Sequence, residues 1–371
     1  MELLKKLYEI HSPSGREKKI KRFIRTYVSE SIEGAKLVDN RDGNIYIVKG
    51  DSDTYPCVVA HLDQVQSSRE QDFKAVETED VIFGWAPSTG KFQGLGADDK
   101  NGIWIALKCL EEFDVLKVAF FVGEEVGCIG SGKADMTFFE NCRFIVQPDR
   151  KGSSDLITSI CGEICSSDFE RDIQAPLFGY TATSGLMTDV LELSERGVGV
   201  SCINLSCGYY KPHTEEEYTI KRDIVNCLNF VRFIITNCTD VYPHKYDDGY
   251  SYGRYNGVYS HYYGGHSVYG GYGGYDTYRS YTSSGNKMGV KIIKSTDYSD
   301  LDSFTDQLMF ENVGYKPEEL WPYVSSDLET YGITEDQFLE VAYEYWWQYN
   351  EDWMGETYGA SYSDDKDWLY D

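Results

Sequence analysis

The chain contains no run of eighteen uncharged apolar residues, so no segment is expected to cross a membrane as a helix. Its first residues, Met1-Glu2-Leu3-Leu4-Lys5-Lys6-Leu7, carry charges inside the apolar stretch and lack a small-residue cleavage site, which argues against a secretory signal. Positive charge is scarce as well: 35 Lys and Arg against 61 Asp and Glu leave a formal charge of −26. Nucleic-acid phosphates are gripped by clustered Lys and Arg, so nucleic acid is not an expected partner. Ten cysteines are scattered from Cys57 to Cys238 without a CxxC pair, and no zinc or disulfide framework emerges from their spacing. A chain of this size does not depend on staples, so the cysteines read as reduced core thiols of a soluble, cytoplasmic protein.

At 371 residues and 41 % hydrophobic content, the length permits one large domain or two ordinary ones with a sizeable core. From residue 1 to about 240, helical and strand patterns alternate. Helices are expected over Arg16–Ile32 and Asn101–Phe113, and strands over Asn44–Val48, Pro56–Ala60, Lys117–Val122, Arg143–Gln147 and Val198–Asn204. A further helix is expected to open at Thr214-Glu215-Glu216-Glu217 and run through Ile235, with a hydroxyl residue ahead of acids in its first turn. The alternation implies a three-layer α/β/α domain around a mixed, mostly parallel central sheet.

Two stretches follow. Residues 246–285 hold 12 Tyr and 10 Gly in 40 positions with almost no aliphatic side chains, so residues 241–285 read as a Tyr/Gly-rich flexible linker, with self-association through tyrosines as the alternative. Residues 286–371 carry 20 acids against 5 bases together with five tryptophans, too aromatic for a disordered acidic tail. Helices over Leu301–Phe310, Pro317–Val324 and Thr334–Tyr349, the last capped by Thr334, give a small helical module. It reads as a packing or interaction appendage that offers a surface to a protein partner.

The chemistry lies in five short segments. His61 and Asp63 stand two apart at a strand end, where one residue can ligate a metal and the other orient its imidazole. In Gly94-Leu95-Gly96-Ala97-Asp98-Asp99-Lys100, glycines surround two acids just before a helix, where a carboxylate can bridge two cations. Taken alone, either acid would read as an ordinary helix start. Glu124 and Glu125 follow an apolar strand, and a cation relieves the repulsion of two carboxylates at a buried edge. Their side chains diverge, which lets Glu125 ligate while Glu124 acts as general base. Asp149 and His213 add one ligand to each side. Two His and three carboxylates suit borderline divalent ions: zinc first, with cobalt or manganese as alternatives.

The segments Ser12-Pro13-Ser14-Gly15-Arg16-Glu17, Ala60-His61-Leu62-Asp63, Gly96-Ala97-Asp98-Asp99-Lys100, Gly123-Glu124-Glu125-Val126-Gly127, Pro148-Asp149 and Lys211-Pro212-His213-Thr214 together resemble the co-catalytic dizinc exopeptidases. That group holds peptidase-T-like, carboxypeptidase-G-type and leucyl aminopeptidase enzymes, and the resemblance covers residues 1–240. It implies that Asp98 bridges two metals, that His61 and Asp149 complete one and Glu125 and His213 the other, that Glu124 is the base, and that the Asp98–Asp99 peptide is cis. The short interval between Asp149 and His213 leaves no room for the inserted lid or dimerisation domain of some branches, so a lidless variant is expected and substrate preference does not carry over. Arg150, Asp189 and Tyr209 are candidate substrate contacts, with surface or core roles as alternatives. The leading expectation is an aminopeptidase or di/tripeptidase acting on small peptides. The alternatives are an amidohydrolase that deacylates small N-acyl amino acids and a non-catalytic binding protein on a peptidase scaffold.

Overall fold

A computed structural model describes residues 1–247, apart from 39 and 41, and residues 304, 305, 308, 309, 315–330, 333–335, 337–339, 341 and 342 of the C-terminal stretch. The chain divides into two compact units, Met1–His261 and Tyr262–Asp371.

In the first unit the strands are β1 Ala35–Val38, β2 Ile45–Lys49, β3 Tyr55–His61, β4 Lys74–Glu77, β5 Val81–Ala86, β6 Lys91–Gln93, β7 Leu116–Phe121, β8 Cys142–Arg150, β9 Asp155–Ile160, β10 Gly162–Glu163, β11 Thr181–Ser184, β12 Cys202–Ser206, β13 Tyr209–Tyr210 and β14 Tyr218–Ile220. The helices are α1 Glu2–Glu9, α2 Lys18–Ser31, α3 Ala97–Glu112, α4 Ile129–Gly132, α5 Ser167–Asp172, α6 Asp189–Glu195 and α7 Lys221–Asn237. Nine strands form one sheet in the order β1-β2-β7-β3-β8-β12-β9-β10, with β11 also paired to β9. Its centre, β7-β3-β8-β12, is parallel, and antiparallel pairs flank it.

Every residue of β3 and of β7 is buried, as expected of parallel strands covered on both faces. Alternation still sorts their side chains. Val58 and Ala60 join a core with Leu4 and Leu7 of α1, Ile20, Ile24 and Val28 of α2, Ile103 and Leu107 of α3, and Val231 and Ile234 of α7. Cys57 and Val59 join a second core with Phe138, Phe139 and, from α6, Val190 and Leu193. Two cores on opposite faces of one sheet make the three layers. All ten cysteines are free and nine are buried, Cys161 being the exposed one. No helix among the described residues is long and apolar enough to cross a membrane.

Two parts of the unit depart from the sequence reading. A second, antiparallel sheet of five strands, β13-β14-β5-β4 with β6 on β5, is built from the segment between Asp63 and Asp98 and from a hairpin around His213. The helix expected from Thr214 begins only at Lys221: Tyr218–Ile220 pairs with β5, which draws the chain out of helical geometry. Of the acids expected in its first turn, Glu215 and Glu217 accept backbone N–H groups of the Gly94–Asp98 segment, and Glu216 pairs with Lys211. The residues between Asp149 and His213 add β9, β10, β11 and β12 to the main sheet and form no separate domain among the described residues.

In the second unit, α8 spans Pro317–Thr330, six residues beyond the expected end. Leu320, Val324 and Leu328 pack with Phe304, Leu308, Met309, Phe338 and Ala342. Thr334 Oγ1 accepts the N–H of Gln337 while Gln337 Oε1 accepts the N–H of Thr334, a reciprocal cap at the expected position. The Tyr/Gly-rich stretch from residue 248, and most of the helices expected over Leu301–Phe310 and Thr334–Tyr349, lie outside the described residues.

Candidate metal centre

The five predicted ligands meet at the carboxyl ends of the parallel strands, where open α/β sheets place their crevices. His61 ends β3, Glu124 and Glu125 follow β7, and Asp149 is the penultimate residue of β8. His213 sits in the turn between β13 and β14. Asp98 lies at the entrance to α3, where Asp98 and Asp99 leave helical geometry and the peptide between them is cis.

Asp98 faces both histidines. Its Oδ1 is 3.1 Å from His61 Nε2 and its Oδ2 is 3.4 Å from His213 Nε2. His61 Nε2 is also 3.5 Å from Asp149 Oδ1, and His213 Nε2 is 3.2 Å from Glu125 Oε2. Donor atoms of His61, Asp98 and Asp149, and of Asp98, Glu125 and His213, lie within 4.8 Å of one another. A tetrahedral ion with bonds of about 2.0–2.1 Å separates its ligands by about 3.3 Å. The four distances therefore match the edges of two tetrahedra that share Asp98. Glu125 Oε1 is buried without a hydrogen-bond partner, as suits a group awaiting a cation. On donor type, spacing and this orphaned oxygen, the residues fit two divalent ions. Glu124 belongs to neither triad, with Oε2 4.0 Å from His61 Nε2.

Protonation follows from crowding. Burial, reinforced by Asp98, pushes the Asp149 carboxyl up to about 8, although His61 opposes the shift. Burial and the same acidic neighbourhood raise Glu124 well above the carboxylate range, and burial raises Glu125. Hydrogen bonds to Asp98 and Glu125 hold His213 up at about 10. Burial alone would lower His61, but Asp149, Asp63 and Asp98 outweigh it and hold its imidazole well above the ordinary value.

Buried carboxylates behind the cluster fix the positions of its members. Asp63 accepts the backbone N–H of Glu124 at 3.0 Å, that of Glu125 at 3.3 Å and the hydroxyl of Ser14 at 2.7 Å. His61 Nδ1 lies 3.1 Å from the Asp63 carbonyl oxygen, so a proton held there leaves Nε2 free for a cation. Asp99 accepts from the backbone of His61 and of Gly102. A Cβ at Gly102 would come within 2.5 Å of the Asp99 carboxylate, which is why glycine stands there. Glu217, missed in the sequence, accepts the N–H groups of Gly96 and Asp98 and so anchors the segment that carries Asp98.

Of the candidate substrate contacts, Arg150 and Tyr209 line a cavity of about 420 Å³ over the cluster, together with Asp98, Glu124, Asp149 and His213. Tyr209 is buried, and Arg150 Nε lies 3.4 Å from Asp155 Oδ2. Asp189 does not line it. It is fully buried and accepts from Ser131 Oγ at 2.5 Å and Gln147 Nε2 at 3.2 Å, and Gln147 in turn donates to Asp149 Oδ2 at 2.9 Å. Asp189 thus stands at the start of α6, linked to Asp149 through Gln147.

No family model and no curated protein matches the sequence. The fold is that of a class of solved peptidase structures. Aminopeptidase PepT from Bacillus cereus is 13 % identical with a TM-score of 0.50, over 64 % of this chain and 98 % of its own. A tripeptidase from Staphylococcus aureus is 13 % identical with a TM-score of 0.51, over 63 % and 96 %. A TET aminopeptidase from a marine sediment archaeon, Thaumarchaeota archaeon SCGC AB-539-E09, is 13 % identical with a TM-score of 0.50, over 65 % and 97 %. At this identity the likeness is one of fold.

Proposed function

We propose that the chain is a metal-dependent exopeptidase, an aminopeptidase or di/tripeptidase. The observation that carries this reading is the position of Asp98, one oxygen toward each histidine, with donor spacings that fit two divalent ions. His61 and Asp149 complete one site, and Glu125 and His213 the other. Divalent ions there would polarise the scissile carbonyl and acidify water.

The chain's own residues supply the rest. Glu124 Oε2, at the cavity wall and outside both triads, takes a proton from the attacking water and delivers it to the leaving amine. Burial raises the affinity of that carboxyl for a proton. Asp63 holds the backbone of Glu124 and Glu125 while it orients His61, so base and ligands keep one geometry. The experiment is elemental analysis of the purified chain beside a screen of free-amine and N-acylated dipeptides. Cleavage of free-amine peptides with zinc present supports the peptidase. Cleavage confined to N-acyl amino acids would move the assignment to a deacylase, and no cleavage at all would leave a binding protein.

A further inference from the structure

The cavity has two unlike walls. Ile157, Leu186 and Met187 form an apolar one. Leu186 and Met187, in the loop between β11 and α6, are 77 % and 53 % exposed, so their apolar surface lies open beside the candidate centre, while Ile157 behind them is buried in the second core. Arg150 and Lys151 stand on the cavity as well. Arg150 is matched by Asp155, whereas the exposed Lys151 side chain has no hydrogen bond or ion pair among the described residues. The other charged side chains on the cavity are the carboxylates of Asp98, Glu124, Glu125 and Asp149, with His213. Two divalent ions would balance those four carboxylates, which leaves Lys151 as the uncompensated charge. An anionic group on the ligand is its natural complement.

We propose that this cavity selects small amides in which a free α-carboxylate accompanies an apolar side chain. The carboxylate pairs with Lys151 beside Arg150, and the side chain lies against Leu186, Met187 and Ile157. The volume of about 420 Å³ falls within the range of small-ligand pockets. The inference rests on the hydrolase reading and narrows it: a short peptide and an N-acyl amino acid both carry this carboxylate, whereas the interior of a long peptide does not.

The test is calorimetric binding to the full-length, zinc-loaded Glu124→Gln variant, so that turnover does not obscure affinity. The ligands are glycyl-leucine, glycyl-leucinamide, glycyl-glycine and N-acetyl-leucine. Glycyl-leucine is expected to bind about tenfold tighter than its amide, the scale of one charge-assisted contact. Lys151→Met should erase that difference, and Leu186→Asp should erase the preference over glycyl-glycine. Both side chains are exposed, so neither change disturbs a core. Tighter binding of glycyl-leucine than of N-acetyl-leucine assigns the site to peptides, and the reverse to N-acyl amino acids. Equal affinities for acid and amide, an unchanged difference in Lys151→Met, or no binding of any ligand would overturn the proposal. Wild-type hydrolysis of the same compounds is scored separately: cleavage without selectivity removes this inference alone, and selective binding without cleavage removes the hydrolase reading alone.

Discussion

Glu217 accepts the backbone N–H of Asp98 at 3.1 Å, while its other oxygen accepts the N–H of Gly96 at 2.6 Å. A fully buried carboxylate four residues after one predicted ligand, His213, thereby fixes the backbone of another. Burial and Asp98 push its carboxyl up to about 7 against those backbone bonds. Glu217→Ala is expected to weaken zinc binding by about 10–100-fold, the usual cost of removing a group that orients a ligand. Glu217→Gln, which keeps one acceptor, should fall between. A zinc competition titration measures this; a lower melting temperature with unchanged zinc affinity would make Glu217 a folding residue only.

Glu124 is the proposed base and stands outside both triads. Glu124→Gln should lower kcat by about 10²–10⁴-fold with zinc content at the wild-type level. Steady-state kinetics beside metal analysis checks both halves, and loss of zinc along with activity would place Glu124 among the ligands.

The metal-free protein should lose stability as pH rises. Asp149, raised to about 8, keeps its proton in the folded state at pH values where the unfolded carboxyl has released it, so the native state binds more protons and stability falls from about pH 4 to about pH 8. His213, raised to about 10, adds stability that is complete below its unfolded value near 6.5 and is lost as pH climbs toward 10. The two shifts have the same sign and act together between about pH 6.5 and 8, with Asp149 acting alone below that window and His213 alone above it. Melting temperatures of chelator-treated protein should fall across that range, and zinc should offset the fall while its binding releases protons. A flat profile, or one that rises, would mean that the cluster is not this tightly coupled.

Among the described residues the apolar cores of the first unit draw on residues 1–246, and Tyr246 both packs on one of them and donates its hydroxyl to the Ile160 carbonyl at 2.9 Å. A chain ended after residue 247 should fold cooperatively and keep its metals, whereas one ended before Tyr246 should be less stable. Thermal unfolding with zinc analysis distinguishes the two, and an insoluble 1–247 chain would show that the remainder completes the fold. The expected division into residues 1–240, 241–285 and 286–371 places Tyr246 in the linker and predicts no difference between the two chains.

How much of this could be read beforehand depended on length and neighbours. Strands β3, β7 and β8 were legible because buried parallel strands are continuous apolar runs, and acids and histidines at their ends were conspicuous against them. The hairpin β13–β14 was not, because strands of two and three residues owe their extension to pairing with β5, a partner distant in sequence. For the same reason Glu217 read as a helix-opening acid, although the aromatic and β-branched run Tyr218-Thr219-Ile220 behind it was a strand signal. For Asp189 the sequence leaves a substrate contact and a core role both open, because nothing local shows that the start of α6 faces Gln147.

The most direct test is the zinc content of dialysed full-length protein by elemental mass spectrometry, for wild type, His61→Ala and Asp98→Asn. Two equivalents per chain are expected in the wild type, one retained in His61→Ala, and both weakened in Asp98→Asn, whose amide has a single acceptor oxygen. Wild-type protein without zinc, or Asp98→Asn that still holds two equivalents, would contradict a pair of cations joined through Asp98.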